Sequence, residues 1–190
     1  MEPASLLSLR KGKAQRRLLA SLKAALFSAT LASAGGCRTS ATPASPVAAS
    51  RGETLVYSWG TIDGQLVESE QHRGRVTVLL FLTTFDVFSQ AAAKRLESFV
   101  RSHTPRLNAV AVVLEAPQYA ELARSFRDTL ALGYPVVLAD QASLQSHPVF
   151  SAVKTVPAWI FLDRQAKVAT TGTGALSIEQ LRQAARLAEM

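Results

Sequence analysis

From about Glu53 onward the chain alternates short apolar runs with amphipathic stretches. VTVLLFL (76–82) contains no turn residue and is apolar on both alternating faces, which predicts a strand buried on both sides. The stretch SQAAAKRLESFVRSH (89–103) repeats Ala92, Leu96, Phe99 and Val100 at helical spacing. LNAVAVVL (107–114) reads as a second buried strand, and APQYAELARSFRDTLAL (116–132) as a second helix with Tyr119, Leu122, Phe126 and Leu130 on one face. PVVLAD (135–140), AWIFLD (158–163) and KVATT (167–171) follow as strands, the last two paired through a turn at Arg164, Gln165 and Ala166. A closing helix is expected from Ser177, whose hydroxyl, with Glu179 and Gln180 in the first turn, can satisfy free backbone N–H groups. Two parallel β-α-β steps followed by a β-hairpin and a helix predict an α/β domain with a mixed sheet covered by helices.

The first 36 residues read differently. A basic stretch leads into the apolar run ALFSATLASA (25–34) and then small residues, the three parts of an export signal. The run is too short to span a bilayer, which takes about 20 apolar residues. A buried amphipathic helix is the alternative, but the following sequence has the composition of a spacer. Two ends to the signal compete. Ala32-Ser33-Ala34 fits a small-x-small cleavage site, whereas Ala34-Gly35-Gly36-Cys37 resembles a bacterial lipobox, with Ala where Leu is usual three residues before the cysteine. The lipobox makes Cys37 a lipid-attachment residue; the plain alternative leaves it incidental in a linker. RTSATPASPVAAS (38–50) cannot bury a core, so the organisation expected is a signal over 1–36, a flexible linker over 37–52 and one domain over 53–190.

Charge follows this division. The formal net charge is +7, yet from Cys37 onward there are 15 basic and 13 acidic residues, so the excess belongs to the N-terminal segment. This gives the folded part no footprint for a nucleic-acid backbone. Cys37 is the one cysteine, which excludes an intramolecular disulfide and a cysteine-rich metal site. His72, His103 and His147 have no ligand spacing, so no metal is expected, and no cofactor. There is no Gly-x-Ser-x-Gly elbow, and TGTG (171–174) lacks the Lys of a phosphate loop and reads as a turn.

The order of elements, with IDGQLVESEQHRGRVTVLLFLTTF (62–85) and KTVPAWIFLDRQAKV (154–168), resembles the thioredoxin superfamily, in particular the membrane-tethered TlpA/ResA-type branch of bacterial envelopes. The first segment is similar to that branch's N-terminal hairpin, Asp-Gly turn and central strand, and the second to the stretch around its cis-proline. The resemblance implies a thioredoxin-like mixed β-sheet flanked by helices with an N-terminal β-hairpin extension. It also locates an active site after the central strand, where the family has an aromatic residue and then Cys-x-x-Cys opening a helix.

Here that place is held by Phe85, Asp86, Val87, Phe88 and Ser89. Asp86 and Ser89 occupy the two cysteine positions, and neither a carboxylate nor a hydroxyl can form a disulfide. No catalytic residue is therefore expected for thiol chemistry. Asp86 has two readings, a helix N-cap and a functional acid, which a raised pKa would mark. In the family the backbone beside the cis-proline pairs with an extended stretch of substrate, which needs no sulfur. Thr155, Val156 and Pro157, with Phe85, Asp86, Val87 and Phe88, are thus the expected partner-binding residues for an envelope protein or peptide. Phe88 either lies exposed there or turns into the core; Trp59 and Trp159 are expected in the core or hairpin. A lipid-anchored, redox-inactive binding module is the leading reading; an enzyme with non-thiol chemistry and a scaffold with a relic groove are the rivals.

Overall fold

A computed structural model describes residues 51–139, 144–145 and 147–190. The expected signal segment, Cys37 and residues 38–50 lie outside the described residues. An N-terminal hairpin comprises β1 (Ser58–Gly60) and β2 (Leu66–Glu68), paired antiparallel. Its turn carries Asp63-Gly64, with Gly64 at φ +78° and the Thr61 hydroxyl accepting from the N–H groups of Asp63 and Gln65. The central strand β3 (Thr77–Leu82) leads into α1 (Val87–Ser102), then β4 (Asn108–Val113), α2 (Ala120–Leu130), β5 (Val136–Leu138) and a single-turn helix α3 (Pro148–Ser151). β6 (Ala158–Leu162), β7 (Val168–Thr173) and α4 (Ile178–Glu189) close the chain.

The five-stranded sheet has the order β5-β4-β3-β6-β7. β4 and β5 run parallel to β3 along one side, and β6 and β7 antiparallel along the other. All six residues of β3 are buried, as its unbroken apolar run requires. Val78, Leu80 and Leu82 point to one face, where they join Leu96 and Phe99 of α1, Phe126 of α2 and Leu181 of α4. Leu79 and Phe81 point to the other, with Tyr57, Trp59 and Phe150. Trp159 is fully buried, while Trp59 stacks on Tyr57 with centroids 4.5 Å apart and meets Phe150 at 5.2 Å. The hairpin is also tied to α2: Arg124 donates to the Ile62 carbonyl, at 2.6 Å from Nη2, and Arg127 pairs with Asp63.

Two local expectations need correction. The second helix begins later than its apolar spacing suggests, because Pro117–Tyr119 form a 3-10 turn. Tyr119 and Leu122 are exposed, and the buried face is Ala123 and Phe126. The small Ala123 lets the helix lie close to the sheet, which swings Leu122 outward. TGTG (171–174) is not a turn, since Thr171–Thr173 complete β7 and only Gly174, at φ +77°, leaves the strand. The C-terminal helix starts as expected, with a reciprocal capping box between Ser177 and Gln180.

This division of α1 and α2 into buried and exposed positions predicts a contrast in stability. Leu96→Ala should lower the unfolding free energy by about 2–5 kcal/mol. Leu122→Ala should stay within about 0.5 kcal/mol of wild type, as surface substitutions do. Urea denaturation of both variants checks it.

Candidate functional site at the carboxyl end of the central strand

The site is built where β3 ends. Because β3 pairs antiparallel with β6 through Phe81 and Ala158, one further step of that register sets Leu82 beside Pro157. The loop entering α1 and the Val156-Pro157 step therefore lie at the same end of the sheet, and the peptide bond between Val156 and Pro157 is cis. Pro157 is buried and its carbonyl accepts from the Gly174 N–H at 2.7 Å. Val156 is half-buried and Thr155 exposed, and among the described residues neither makes a backbone hydrogen bond.

On the other side of this end, Asp86 caps α1. Its carboxylate accepts from the Ser89 N–H at 2.7 Å and from the Phe88 N–H at 3.3 Å, satisfying donors that the first helical turn leaves without partners. The Ser89 side chain holds the carboxyl below its ordinary value, against the opposing effect of desolvation and with the help of the backbone N–H groups of Ser89 and Phe88. Asp86 is thus ionised at neutral pH and is not poised to donate a proton, so the functional-acid reading loses the feature that would have marked it. Ser89 is fully buried, and its hydroxyl accepts from the Thr83 N–H at 3.4 Å.

The three apolar residues at this entry to α1 face solvent. Phe85, Val87 and Phe88 are 75%, 72% and 66% exposed. Phe88 does not turn into the core: its position follows the spacing of Ala92 and Leu96, but it sits in the first turn of α1, at the end of that buried face, and is exposed there. Single exposed apolar residues are ordinary, but three within four positions at a helix start form a patch.

Glu115, just beyond β4, was not among the residues expected here. It is buried, and one carboxylate oxygen accepts at 2.7 Å from both the N–H and the hydroxyl of Thr84. Gln90 donates to the Thr84 carbonyl at 3.0 Å. Together these bonds fix Thr84, the residue before Phe85, making Glu115 a positioning residue for the loop. The signal available in the sequence is a carboxylate directly after an apolar strand, where a buried charge needs partners.

The histidines have separate surroundings. His72 Nδ1 lies 2.7 Å from the Tyr57 hydroxyl, His103 packs on Phe99, and His147 Nδ1 accepts from the Val149 N–H. Among the described residues no group of three His, Cys, Asp or Glu side chains is placed to hold a metal.

Sheet order, the hairpin ahead of β3, a helix opening directly after it and a cis-proline ahead of β6 define a thioredoxin-like domain. Solved structures agree. The secreted thiol-disulfide isomerase of Corynebacterium glutamicum matches with a TM-score of 0.65 at 14% identity, over 74% of this chain and 87% of that one. StoA from Bacillus subtilis matches with a TM-score of 0.56 at 23% identity, over 70% and 98%. The exposed lipoprotein thioredoxin of Streptococcus pneumoniae matches with a TM-score of 0.59 at 16% identity, over 72% and 100%. No protein-family model matches the sequence, and comparison with curated proteins finds no match. The fold is thus shared with thiol:disulfide interchange proteins, and the start of α1 here holds Asp86 and Ser89.

The cap predicts a pH signature. A carboxyl whose folded pKa is depressed contributes stability that is present above its unfolded value and is lost as pH falls through the folded one. The stability difference between wild type and Asp86→Asn should therefore be constant near neutrality and shrink below about pH 4. Urea denaturation at a series of pH values checks this; a change centred near pH 6 would instead indicate a raised pKa and a working acid.

Proposed function

We propose that this chain is a redox-inactive thioredoxin-fold protein of the bacterial envelope that holds an extended segment of a partner protein at the carboxyl end of β3. The observation that carries the reading is the pairing of two features at that end: an exposed apolar patch of Phe85, Val87 and Phe88, and backbone at Thr155 and Val156 that has no partner among the described residues. Unpaired N–H and C=O groups beside a sheet are a template for an added strand, and apolar side chains next to them give such a strand something to bury. Covering each of the three side chains fully is worth about 1.5–3 kcal/mol.

Redox inactivity follows from composition. With Cys37 as the one cysteine, a single chain has no pair of thiols to oxidise, and Asp86 and Ser89 cannot replace them. Export and lipid attachment at Cys37 rest on the N-terminal signal pattern, and the secreted isomerase and exposed lipoprotein among the structural neighbours support that location. Among the described residues no helix is long and apolar enough to cross a membrane.

Photo-crosslinking in the native envelope tests the binding reading. A photoreactive residue replacing Phe88 should capture a discrete protein that one replacing Gln183, exposed on α4, does not. Phe88→Ser combined with Val87→Ser should reduce capture from Phe85 by about tenfold or more, the loss expected from uncovering one large side chain. Equal capture from both positions would remove the groove. Insulin-disulfide reduction should be absent for wild type and for Asp86→Cys, which lacks a resolving thiol; turnover by wild type would overturn redox inactivity.

A further inference from the structure

At the opposite end of the sheet three arginines occupy equivalent register positions. Thr77 pairs with Asn108 on one side and with Leu162 on the other, so these three residues form one rung. Arg75, Arg106 and Arg164 each lie two residues beyond that rung, in three different connections. All three are exposed and line one cavity of about 330 Å³. Among the described residues their side chains enter no ion pair or hydrogen bond. The acids nearby have other partners. Asp163 accepts from the N–H groups of Gln165 and Lys167, and Glu189, which also lines the cavity, lies 3.6 Å from His103 Nε2. Three arginines lining one cavity, without side-chain partners among the described residues, suit a phosphate group, which guanidinium groups can bind with paired N–H donors.

The same end receives the chain from its N-terminal side. Gly52 donates to the Val168 carbonyl, Val168 to the Glu53 carbonyl, and Leu55 to the Ala166 carbonyl, so the polypeptide enters beside the Arg164 turn. Upstream lie the spacer 38–50 and Cys37. The 13 residues of 38–50, even fully extended, span at most about 45 Å, so a surface that holds Cys37 would have this end of the domain within reach.

We propose that Arg75, Arg106 and Arg164 form a docking site for the phosphate of an anionic phospholipid headgroup, seating this end of the domain on the membrane. The proposal takes its ligand from the envelope reading above, but the cluster binds headgroups whether or not Cys37 is lipidated. An arginine near an anionic surface strengthens binding by on the order of fivefold, so three together give on the order of 100-fold.

The test uses the full chain with Cys37→Ser and a single fluorescent label at Lys167→Cys or at Phe88→Cys, mixed with phosphatidylcholine vesicles containing a headgroup quencher, with or without phosphatidylglycerol. Quenching at 167 and not at 88, only with phosphatidylglycerol, is expected. It should weaken on the order of 100-fold in R75Q/R106Q/R164Q, whose basic N-terminal segment is unchanged and whose unfolding curve should match wild type. Equal quenching in that variant, quenching at 88, or independence from phosphatidylglycerol would overturn the proposal. So would inorganic phosphate binding at the same arginines as tightly as the vesicles do, which would assign the site to a soluble anion. Mass spectrometry of Cys37 in protein from cells reads the anchor separately, so failure of the lipoprotein reading is distinguishable from failure of the docking site.

Discussion

The central strand sets the rest of the molecule. β3 is buried on both faces, so its backbone groups must find partners on both edges, and they do so with β4 and β6. Because β4 is parallel to β3 and β6 antiparallel, three connections must meet at each end of the strand. At the carboxyl end they are the loop into α1, the residues after β4 and the cis-proline stretch. At the amino end they are the turn before β3, the turn before β4 and the β6–β7 turn. The apolar patch and the arginine cluster are therefore not separate constructions. Both are products of one register, and each is assembled from segments far apart in sequence.

The carboxyl end shows how a thioredoxin-like helix start persists without sulfur. The first turn of α1 needs acceptors for its free N–H groups, a requirement independent of any catalytic role. Asp86 supplies two, and buried Ser89 accepts from Thr83. Glu115 and Gln90 then fix Thr84 from both sides. Oxygen acceptors satisfy these donors better than thiols would, since sulfur is a weak acceptor. Asp86 and Ser89 thus serve the helix terminus well, and the loop is held by hydrogen bonds that make no use of redox chemistry.

Much of this was legible in the sequence, and unevenly so. Buried strands declare themselves through continuous apolar runs, and β3, β4 and β6 fall within two residues of their expected bounds. The Ser177 cap and the Asp86 cap were readable because capping is local chemistry. Periodicity misled at α2, where Tyr119 and Leu122 have the right spacing but the packed face is set by Ala123 and Phe126; spacing gives a stripe without saying which neighbour approaches it. Glu115 and the arginine rung were not readable in advance, because each depends on strand register. Nothing in the spacing of 75, 106 and 164 says that they share a rung. The solvent exposure of Phe88 was likewise a question only the packing of α1 could answer.

The two ends also bear on one another physically. A domain held near a membrane by a tether alone can present more than one face to it, and exposed aromatic and aliphatic side chains partition readily into the interface. Phe85, Val87 and Phe88 on such a domain would be drawn to lipid, where they are useless to a protein partner. A cationic cluster at the other end of the sheet opposes that orientation, because it gains most when the amino end of β3 faces anionic headgroups. The strands between the two ends are rigidly paired, so seating one end fixes the direction of the other. On the proposed reading, the arginines keep the apolar patch available by turning it away from the membrane.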